Sequence, residues 1–298
     1  MTWDDKPGGA AAMAEDAWGP SGWMSTAVQQ EPVERIELHT DRPQSARMYD
    51  YLLGGKTNFA PDREIAAKAL EAFPGLRDVI RAGRAFLGRA AGFLAEQGVD
   101  QFLDIGSGIP TSPNLHEIVQ EVNPAARIVY VDNDPIVLAH TRALLNSTPE
   151  GRIDFLAADL RAPKAILDHP CLSGPDPALD LTRPVGLVLS AVVHFVADED
   201  DPYGIVRTLL DALPSGSWLV LSHATADASP DQVDRAGSAY RGGGVGIRPR
   251  SREEFARFAE GLEPVEPGIV PPGEWRPRPG APVSATTRDG YVLVARKP

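Results

Sequence analysis

The sequence predicts an α/β fold, in which a mostly parallel sheet is flanked by helices and preceded by a helical cap. Three observations predict this fold. Apolar residues recur at helical spacing from Gln44 to Gly98, short apolar runs then alternate with amphipathic stretches, and a glycine turn follows the first of those runs. Such alternation is typical of a parallel sheet wrapped by helices.

Length and composition are those of an ordinary globular protein. The chain has 298 residues, 43% of them hydrophobic, and a net charge of −12. That charge opposes the attraction to polyanions on which nucleic-acid binding depends, so we expect no nucleic-acid partner. The longest apolar runs span about ten residues, well short of the roughly 20 that cross a bilayer, so we expect no membrane helix.

The N-terminal residues and the cysteine content bear on the compartment. Residues 1–38 are acidic, rich in Gly and Ala and without apolar periodicity, which predicts a disordered or loosely docked leader rather than a secretory signal. Cys171 is the single cysteine, so no intrachain disulfide can form. Together these features predict a cytoplasmic protein.

Residues 39–98 form the predicted helical cap. Breaks at Leu53-Gly54-Gly55 and at Pro74-Gly75 separate about three helices. Four arginines recur at roughly helical spacing in the last of them, and such a row predicts a solvated face. They are Arg77, Arg81, Arg84 and Arg89.

Residues 99–298 form the predicted α/β domain. Ser112-Pro113 and Asp134-Pro135 each place a capping side chain before a proline, which predicts helix starts there. Asp289-Gly290 precedes the last apolar run and predicts a hairpin turn. The predicted strands span residues 101–105, 127–131, 152–156, 185–190, 217–222, 264–270 and 291–295.

The glycine turn between the first strand and the next helix is the most informative segment. Gly106 and Gly108, with Ser107 between them, remove side chains where a ligand must lie against the backbone. The third glycine of a dinucleotide fingerprint would fall at Thr111, which disfavours pyrophosphate. Asp104, just before the turn, would also repel a pyrophosphate but suits a cationic ligand. A tight turn without a ligand is the alternative.

Acidic residues also follow the second and third strands. Asp132, followed by Asn133, is placed to accept hydrogen bonds from two ribose hydroxyls. Asp159, followed by Leu160, is placed to accept a hydrogen bond from an adenine amino group. Together with Asp104 they predict a site for a positively charged adenosine-bearing ligand, because ligands bind at the carboxyl ends of such strands. A helix-capping or turn role is the alternative for each acid alone.

Two histidines are candidate general bases. His194 follows the fourth strand and His223 ends the fifth. An unperturbed pKa of about 6.5 suits proton removal near neutral pH, although a wall or hydrogen-bonding role is the alternative. The six histidines are too far apart for a local metal-ligand pair, and one cysteine allows no zinc pattern, so no metal is predicted.

These motifs, in this order and spacing, resemble the class I, Rossmann-like S-adenosylmethionine-dependent methyltransferases over about residues 99–298. The segment ARMYDYLLGGKTNFAPDRE (46–64), followed by FLDIGSGIPTSPNLHE, is similar to an actinobacterial family of such enzymes, mostly of unassigned substrate. The resemblance implies seven strands with the last one antiparallel, and S-adenosylmethionine as cofactor. It also implies a small-molecule methyl acceptor, and a pocket floor that begins at Ser190, a candidate cofactor contact.

By the same resemblance, residues 49–58 fold over the methionine end of the cofactor. Tyr49, Lys56 and Asn58 would then reach its carboxylate or the acceptor, and the segment would be a mobile lid. A plain helix with a Gly-Gly C-cap is the alternative. The glycine-rich residues 241–246 likewise predict a flexible lid or a merely mobile loop.

Two other functions stay open at this stage. A regulatory protein that binds the cofactor without transferring methyl is compatible with the sequence, because all three acids serve binding only. A nicotinamide-dependent oxidoreductase is disfavoured by Asp104 and Thr111. The sequence identifies neither the acceptor nor the need for a base, since orientation and desolvation alone can supply about 7 to 11 kcal/mol.

Overall fold

A computed structural model describes residues 37–277 and 287–298. The predicted leader, residues 1–38, therefore lies almost entirely outside the described residues. Within the described part of the chain, no helix is long and apolar enough to cross a membrane.

Three helices form the N-terminal cap, as the sequence predicts. They are α1 (Ser45–Leu53), α2 (Ala60–Ala72) and α3 (Leu76–Glu96). Helix α1 ends at Gly54, whose left-handed φ of +91° lets its N–H reach the carbonyl of Tyr51 at 3.0 Å. Gly54 is thus the C-cap of a plain helix, as in the alternative given above for the Gly54-Gly55 pair.

Seven strands form one sheet in the order β3-β2-β1-β4-β5-β7-β6. Strands β1 to β5 run parallel, and β7 pairs antiparallel with both β5 and β6. This confirms the predicted Rossmann-like architecture. The strands are β1 (Gln101–Ile105), β2 (Arg127–Asp132), β3 (Arg152–Ala157), β4 (Gly186–Ser190), β5 (Trp218–Ala224), β6 (Glu263–Pro264) and β7 (Gly290–Arg296).

Helices cover the sheet between its strands. The strand order reverses between β1 and β4, which opens a crevice at their carboxyl ends where ligands bind in such sheets. The helices are α4 (Leu115–Val122), α5 (Pro135–Leu144), α6 (Pro163–Leu167), α7 (Pro170–Ser173), α8 (Pro202–Asp211), α9 (Pro230–Gly242) and α10 (Arg252–Ala256). Short 3₁₀ turns span Val193–Phe195, Asp198–Asp200, Arg257–Ala259 and Pro272–Glu274.

The sixth strand is much shorter than the predicted run 264–270. It pairs only over Glu263–Pro264, and Val270 adds an isolated bridge to Val292. The prolines at 264 and 267 have no N–H to donate to a ladder, and Gly268 adopts a φ of +77°. Because the connection from β6 to β7 covers residues 265–289, Asp289-Gly290 is not a hairpin turn; Gly290 is the first residue of β7.

The two predicted helix starts differ in outcome. Asp134 caps α5 as predicted, its carboxylate accepting the N–H of Ile136 at 2.9 Å. Helix α4, however, begins at Leu115 rather than after Ser112-Pro113. Asn114 and Glu117 form a reciprocal capping box there, which satisfies two free N–H groups at once.

Separate apolar clusters pack on the two faces of the sheet and under the cap. Leu103 and Ile105 of β1 join one cluster, and Phe102 joins the other, following the alternation of a strand. The third cluster joins α1 and α2 to α9, where Met48 packs with Tyr240. The cap thus shares a core with the helix that follows β5.

A buried arginine fixes the cap to the α/β domain. Arg47 of α1 is fully buried, and its Nε donates to Asp134 Oδ2 at 2.9 Å. Its guanidinium also lies 3.9 Å from Asp62 of α2 and 5.5 Å from the ring centroid of Phe59. Removing one partner of such a pair leaves an uncompensated buried charge.

Replacing this arginine is therefore expected to be costly. We expect Arg47→Met to lower the free energy of unfolding by about 3 to 5 kcal/mol, because the carboxylates of Asp134 and Asp62 lose their cation. Urea unfolding measures the change. Arg81→Met, on the exposed face of α3, is the control and should change stability by less than about 0.5 kcal/mol. A loss under about 1 kcal/mol for Arg47→Met would contradict this account.

Candidate functional site

A cavity of about 490 Å³ lies between the carboxyl ends of the central strands and helices α1 and α3. This is the size range of small-molecule sites, at the place where such sheets bind ligands. Ten of the predicted site residues line it, whereas Lys56, Asn58, His194 and His223 do not. The ten are Tyr49, Asp104, Gly106, Ser107, Gly108, Asp132, Asn133, Asp159, Leu160 and Ser190.

The glycine turn lines this cavity, which is the larger of two cavities described in this section. Gly106 and Gly108 have φ of +75° and +68°, which only glycine adopts readily. A Cβ at Gly106 would lie 2.4 Å from a methyl of Val192, whereas a Cβ at Gly108 would meet nothing within 4 Å. Gly106 is therefore needed for packing, and Gly108 is the glycine that keeps the backbone open to a ligand.

Two buried carboxylates stand beside the turn. Burial raises the pKa of Asp104 to about 7, with Arg84 opposing the rise and Asp132 adding to it. Burial also raises the pKa of Asp132 to about 6, although its carboxylate accepts N–H groups of Asp134 and Gly108, each at 2.9 Å. Their charges are unfavourable in the empty cavity, so a bound cation would stabilise them.

The third acid is part of a turn as well as of the cavity. The Asp159 carboxylate accepts hydrogen bonds from the backbone N–H of Arg161 at 2.9 Å and from the Nε–H of the same arginine at 3.0 Å. The side-chain amide of Asn133 also donates to this carboxylate, at 3.2 Å. The bond from the Arg161 side chain holds the pKa of Asp159 down at about 2. Asp159 is therefore an ionised acceptor at the cavity edge, while Ala162 is the N-cap of α6.

Arg84 lies in the wall of the larger cavity, although its spacing in the sequence predicts a solvated face. It lines the larger cavity and donates to the carbonyls of Thr111 and Pro113. Arg89 of the same row donates to the carbonyls of Trp275 and Pro272. No local sequence signal could reveal this, because the partners lie on other segments. Arg84 gives the cavity one cationic wall.

The segment 49–58 divides between the cavity and the surface. Tyr49 lines the cavity, and burial raises the pKa of its hydroxyl to about 12, so it stays protonated. Asn58 lies outside, because its Nδ2 donates to Asp50 at 2.8 Å and to the Gly55 carbonyl at 3.1 Å. Lys56 is exposed and does not line the cavity either. Asn58 thus closes a loop instead of facing a ligand.

Helix α1 is packed as a core element. Met48 and Leu52 are fully buried beside the buried Arg47. This packing argues against the mobile lid that the resemblance suggested. The glycine-rich segment differs: Gly242 ends α9, and residues 243–246 line the larger cavity. A Cβ at Gly243 would lie 2.7 Å from Ile65 of α2, so glycine is what lets the segment pass so close.

The candidate bases His194 and His223 line a second, smaller cavity of about 110 Å³. His223 Nδ1 donates to the Ala224 carbonyl at 2.7 Å, and its Nε2 accepts from Arg250 at 3.0 Å. His194 Nδ1 accepts the N–H of Ala224 at 3.4 Å. Burial and the nearby Arg250 lower the pKa of His194 to about 3 and that of His223 well below its usual value.

Neither histidine is arranged as a general base. The acceptor nitrogen of each ring is already hydrogen-bonded, and a strongly lowered pKa makes the ring a weak proton acceptor. Arg250, itself buried, also donates to the carbonyls of Val193 and Val196 and to Asp198. This geometry fits the alternative role, in which both histidines are hydrogen-bonded residues of a cavity wall.

Ala191 stands between the two cavities and lines both. Its φ is +56°, a left-handed conformation that costs a residue with a Cβ roughly 1 to 2 kcal/mol. Ser222 Oγ accepts the Ala191 N–H at 2.8 Å and lies 3.2 Å from Ser190 Oγ. These bonds hold the end of β4 in a strained turn where the cavities meet.

No group of three or more possible ligands among His, Cys, Asp and Glu is placed to hold a metal ion within residues 37–277 and 287–298. The polar groups that line the larger cavity include carboxylates, backbone N–H groups and the guanidinium groups of Arg42, Arg84 and Arg161. They suit an organic ligand with hydroxyl, amino and carboxylate groups.

Comparisons with known proteins agree with this geometry. The sequence profile of a family described as S-adenosyl methyltransferase matches residues 31–298. A DUF574-family protein from Streptomyces avermitilis MA-4680 is 49% identical with a TM-score of 0.84, covering 88% of this chain and 100% of its own. A proposed methyltransferase from Thermobifida fusca YX is 38% identical with a TM-score of 0.79, covering 90% of this chain and 99% of its own. No curated protein matches the chain.

The histidine environment yields a direct test by NMR. We expect neither His194 nor His223 to titrate between about pH 5 and pH 8, while both titrate near pH 6.5 in the urea-unfolded chain. At these two residues the folded state then binds fewer protons than the unfolded state below about pH 6.5, so their own contribution to the free energy of unfolding falls as the pH drops through this window. The raised pKa values of Asp104 and Asp132 act in the opposite direction, so the histidine signals and not the total stability are the readout. A ring of the folded protein that titrates near pH 6.5 would contradict the wall assignment.

Proposed function

The chain belongs to the S-adenosyl methyltransferase family, and we propose that its larger cavity binds S-adenosylmethionine for methyl transfer to a small-molecule acceptor. One observation carries the proposal. Carboxylates at the ends of β1, β2 and β3 converge with an open glycine turn on a single cavity of about 490 Å³. This set matches an adenosine joined to a cationic, amino-acid-like tail.

The adenosine end is assigned to residues after β2 and β3. Asp132 is placed to accept hydrogen bonds from the ribose hydroxyls, because each of its oxygens uses only part of its acceptor capacity on Gly108 and Asp134. Asp159, with Asn133 and Leu160 beside it, is assigned to the adenine edge. The open backbone at Gly108 lets the nucleoside lie against the turn.

The amino-acid end is assigned to the wall that the cap contributes. Arg84 supplies the cation that a carboxylate needs, and Asp104 supplies the anion that an ammonium group needs. Both line the cavity, and the Arg84 charge already acts on the Asp104 carboxyl. The Ser107 backbone and Ser190 complete this side.

When bound, S-adenosylmethionine supplies a methyl group on a sulfonium that makes the methyl carbon electrophilic. An acceptor lone pair held in line with that carbon would take the methyl group and leave the electron pair of the carbon–sulfur bond on sulfur. An acceptor that carries a proton would release it to water. The protein's part is to hold the two reactants in line and to exclude solvent, which can supply about 7 to 11 kcal/mol. No side-chain base is assigned.

Calorimetry tests the cofactor assignment. We expect binding of S-adenosylmethionine and of S-adenosylhomocysteine, and none of NAD, because the loop holding Thr111 lacks the third glycine and Asp104 faces the cavity. Release of S-adenosylhomocysteine on incubation with a panel of small-molecule acceptors would separate an enzyme from a regulatory protein that only binds the cofactor. Absence of binding to either adenosyl compound would overturn the proposal.

Removing the ribose-facing carboxylate should weaken binding without unfolding the chain. We expect Asp132→Asn to lower the affinity for S-adenosylhomocysteine by about 1 to 3 kcal/mol, roughly 5-fold to 150-fold, as a charged acceptor is lost. Asp100→Asn is the matched control, since Asp100 pairs with Arg183 and does not line the cavity. Equal affinity of a folded Asp132→Asn protein would refute the ribose role.

The raised pKa of Asp104 predicts a pH dependence of binding. Below about pH 7 the empty protein carries Asp104 in its neutral form, and a cationic ligand favours the ionised form. Affinity for S-adenosylmethionine should therefore fall about tenfold per pH unit below pH 7. The Asp104→Asn protein should bind S-adenosylmethionine more weakly than the natural chain at pH 8, and its affinity should change less with pH. The fall in affinity that remains, below about pH 6, is the contribution of Asp132. An unchanged profile would contradict this role.

A further inference from the structure

The smaller cavity adjoins the larger one through shared walls. Ser45, Tyr49, Ala191 and Phe195 line both cavities. The strained turn at Ala191 lies at this junction. A molecule in the smaller cavity would therefore sit next to the contents of the larger one, which is the placement that methyl transfer requires.

Aromatic rings contribute to the wall of the smaller cavity, among aliphatic side chains. Tyr49, Phe73, Phe195, Tyr240 and Tyr291 all line it, together with the two neutral histidines. The rings of Phe195 and Tyr240 stack with centroids 6.4 Å apart at 29°, and His194 lies 4.4 Å from Phe195. Such walls favour a flat ring, which stacks or meets them edge to face.

Charge is nearly absent from this wall. Among the described residues that line the smaller cavity, there is no lysine or arginine, and Asp289 is the single carboxyl group. Burial raises the pKa of Asp289, and the histidines are held neutral. An anionic guest would lose its hydration here without gaining a partner of opposite charge, and a cationic guest would find only Asp289.

We propose that the smaller cavity is the acceptor site and that the acceptor is an uncharged, mainly apolar molecule that inserts one aromatic ring there. The proposal rests on the proposed function for its methyl donor. The volume of about 110 Å³ is somewhat below that of an apolar cavity of about 150 Å³ that binds benzene, and the smaller cavity shares its wall with the larger one, so a single ring is the largest rigid group we assign to it. The atom to be methylated lies at the end bounded by Tyr49 and Ala191.

Gly83 offers a way to fill the cavity without disturbing the fold. It lies within α3 and lines the smaller cavity but not the larger one. A Cβ built there has no atom within 4 Å, so a side chain can start from this position toward the cavity. Because glycine is the less favourable residue in a helix, Gly83→Leu should fold at least as well as the natural chain.

The test uses 4-fluorophenol as the uncharged probe and 4-fluorobenzoate as its anionic counterpart, observed by ¹⁹F NMR with saturating S-adenosylhomocysteine. We expect the natural chain to broaden the phenol signal and not the benzoate signal. Gly83→Leu should lower the bound fraction of the phenol at least fivefold and leave S-adenosylhomocysteine affinity within twofold. Gly92→Ala, on the same helix and outside both cavities, should bind the phenol as the natural chain does.

The outcomes separate this proposal from the proposed function. Phenol binding that survives in Gly83→Leu, equal binding of the benzoate, or no phenol binding by the natural chain would each overturn the acceptor site. Failure of S-adenosylhomocysteine to bind the natural chain would overturn the proposed function instead, and the probe is then measured without it. If Gly83→Leu does not fold, Ala236→Leu fills the same cavity from α9 and takes its place.

Discussion

The buried ion pair between Arg47 and Asp134 is the interaction on which the site depends. Arg47 donates to the carboxylate of Asp134, the residue that caps α5. The backbone N–H of Asp134 donates in turn to one carboxylate oxygen of Asp132, and the N–H of Gly108 donates to the other. One line of polar contacts thus runs from the cap through the end of β2 to the glycine turn. Because Arg47, Asp134 and Asp132 are buried, water does not readily replace a partner lost among them, and these contacts hold the end of β2 beside the glycine turn.

The predictions that held rest on local signals. The first five strands and the last are short apolar runs, and the acids at the ends of β1, β2 and β3 reach one cavity because parallel strands end at one edge. The sixth strand did not follow its apolar pattern, since Pro264 and Pro267 interrupt the ladder. Periodicity records where side chains are apolar, and it does not record whether the backbone has an N–H to pair.

What the sequence did not predict depends on contacts between distant segments. Arg84 was placed on a solvated face by its spacing, yet its partners are carbonyls of the loop before α4. His194 and His223 have the residue type of a base, and Arg250, distant in the sequence, places a guanidinium beside their rings. The position of Asn58 near Tyr49 suggested a ligand contact, but its side-chain amide donates a hydrogen bond to Asp50, eight residues before it.

The two cavities draw on different parts of the chain, and this division bears on how such proteins diverge. The larger one is built from strand ends, where a substitution disturbs the sheet as well as the ligand. The smaller one takes much of its wall from α3 and α9, including Val79 and Val233. Exchanges at those helix positions would resize the pocket and leave the acids of the sheet untouched. Under the proposed roles of the two cavities, descendants of one ancestral sequence can therefore acquire new small-molecule preferences while inheriting an unaltered donor site.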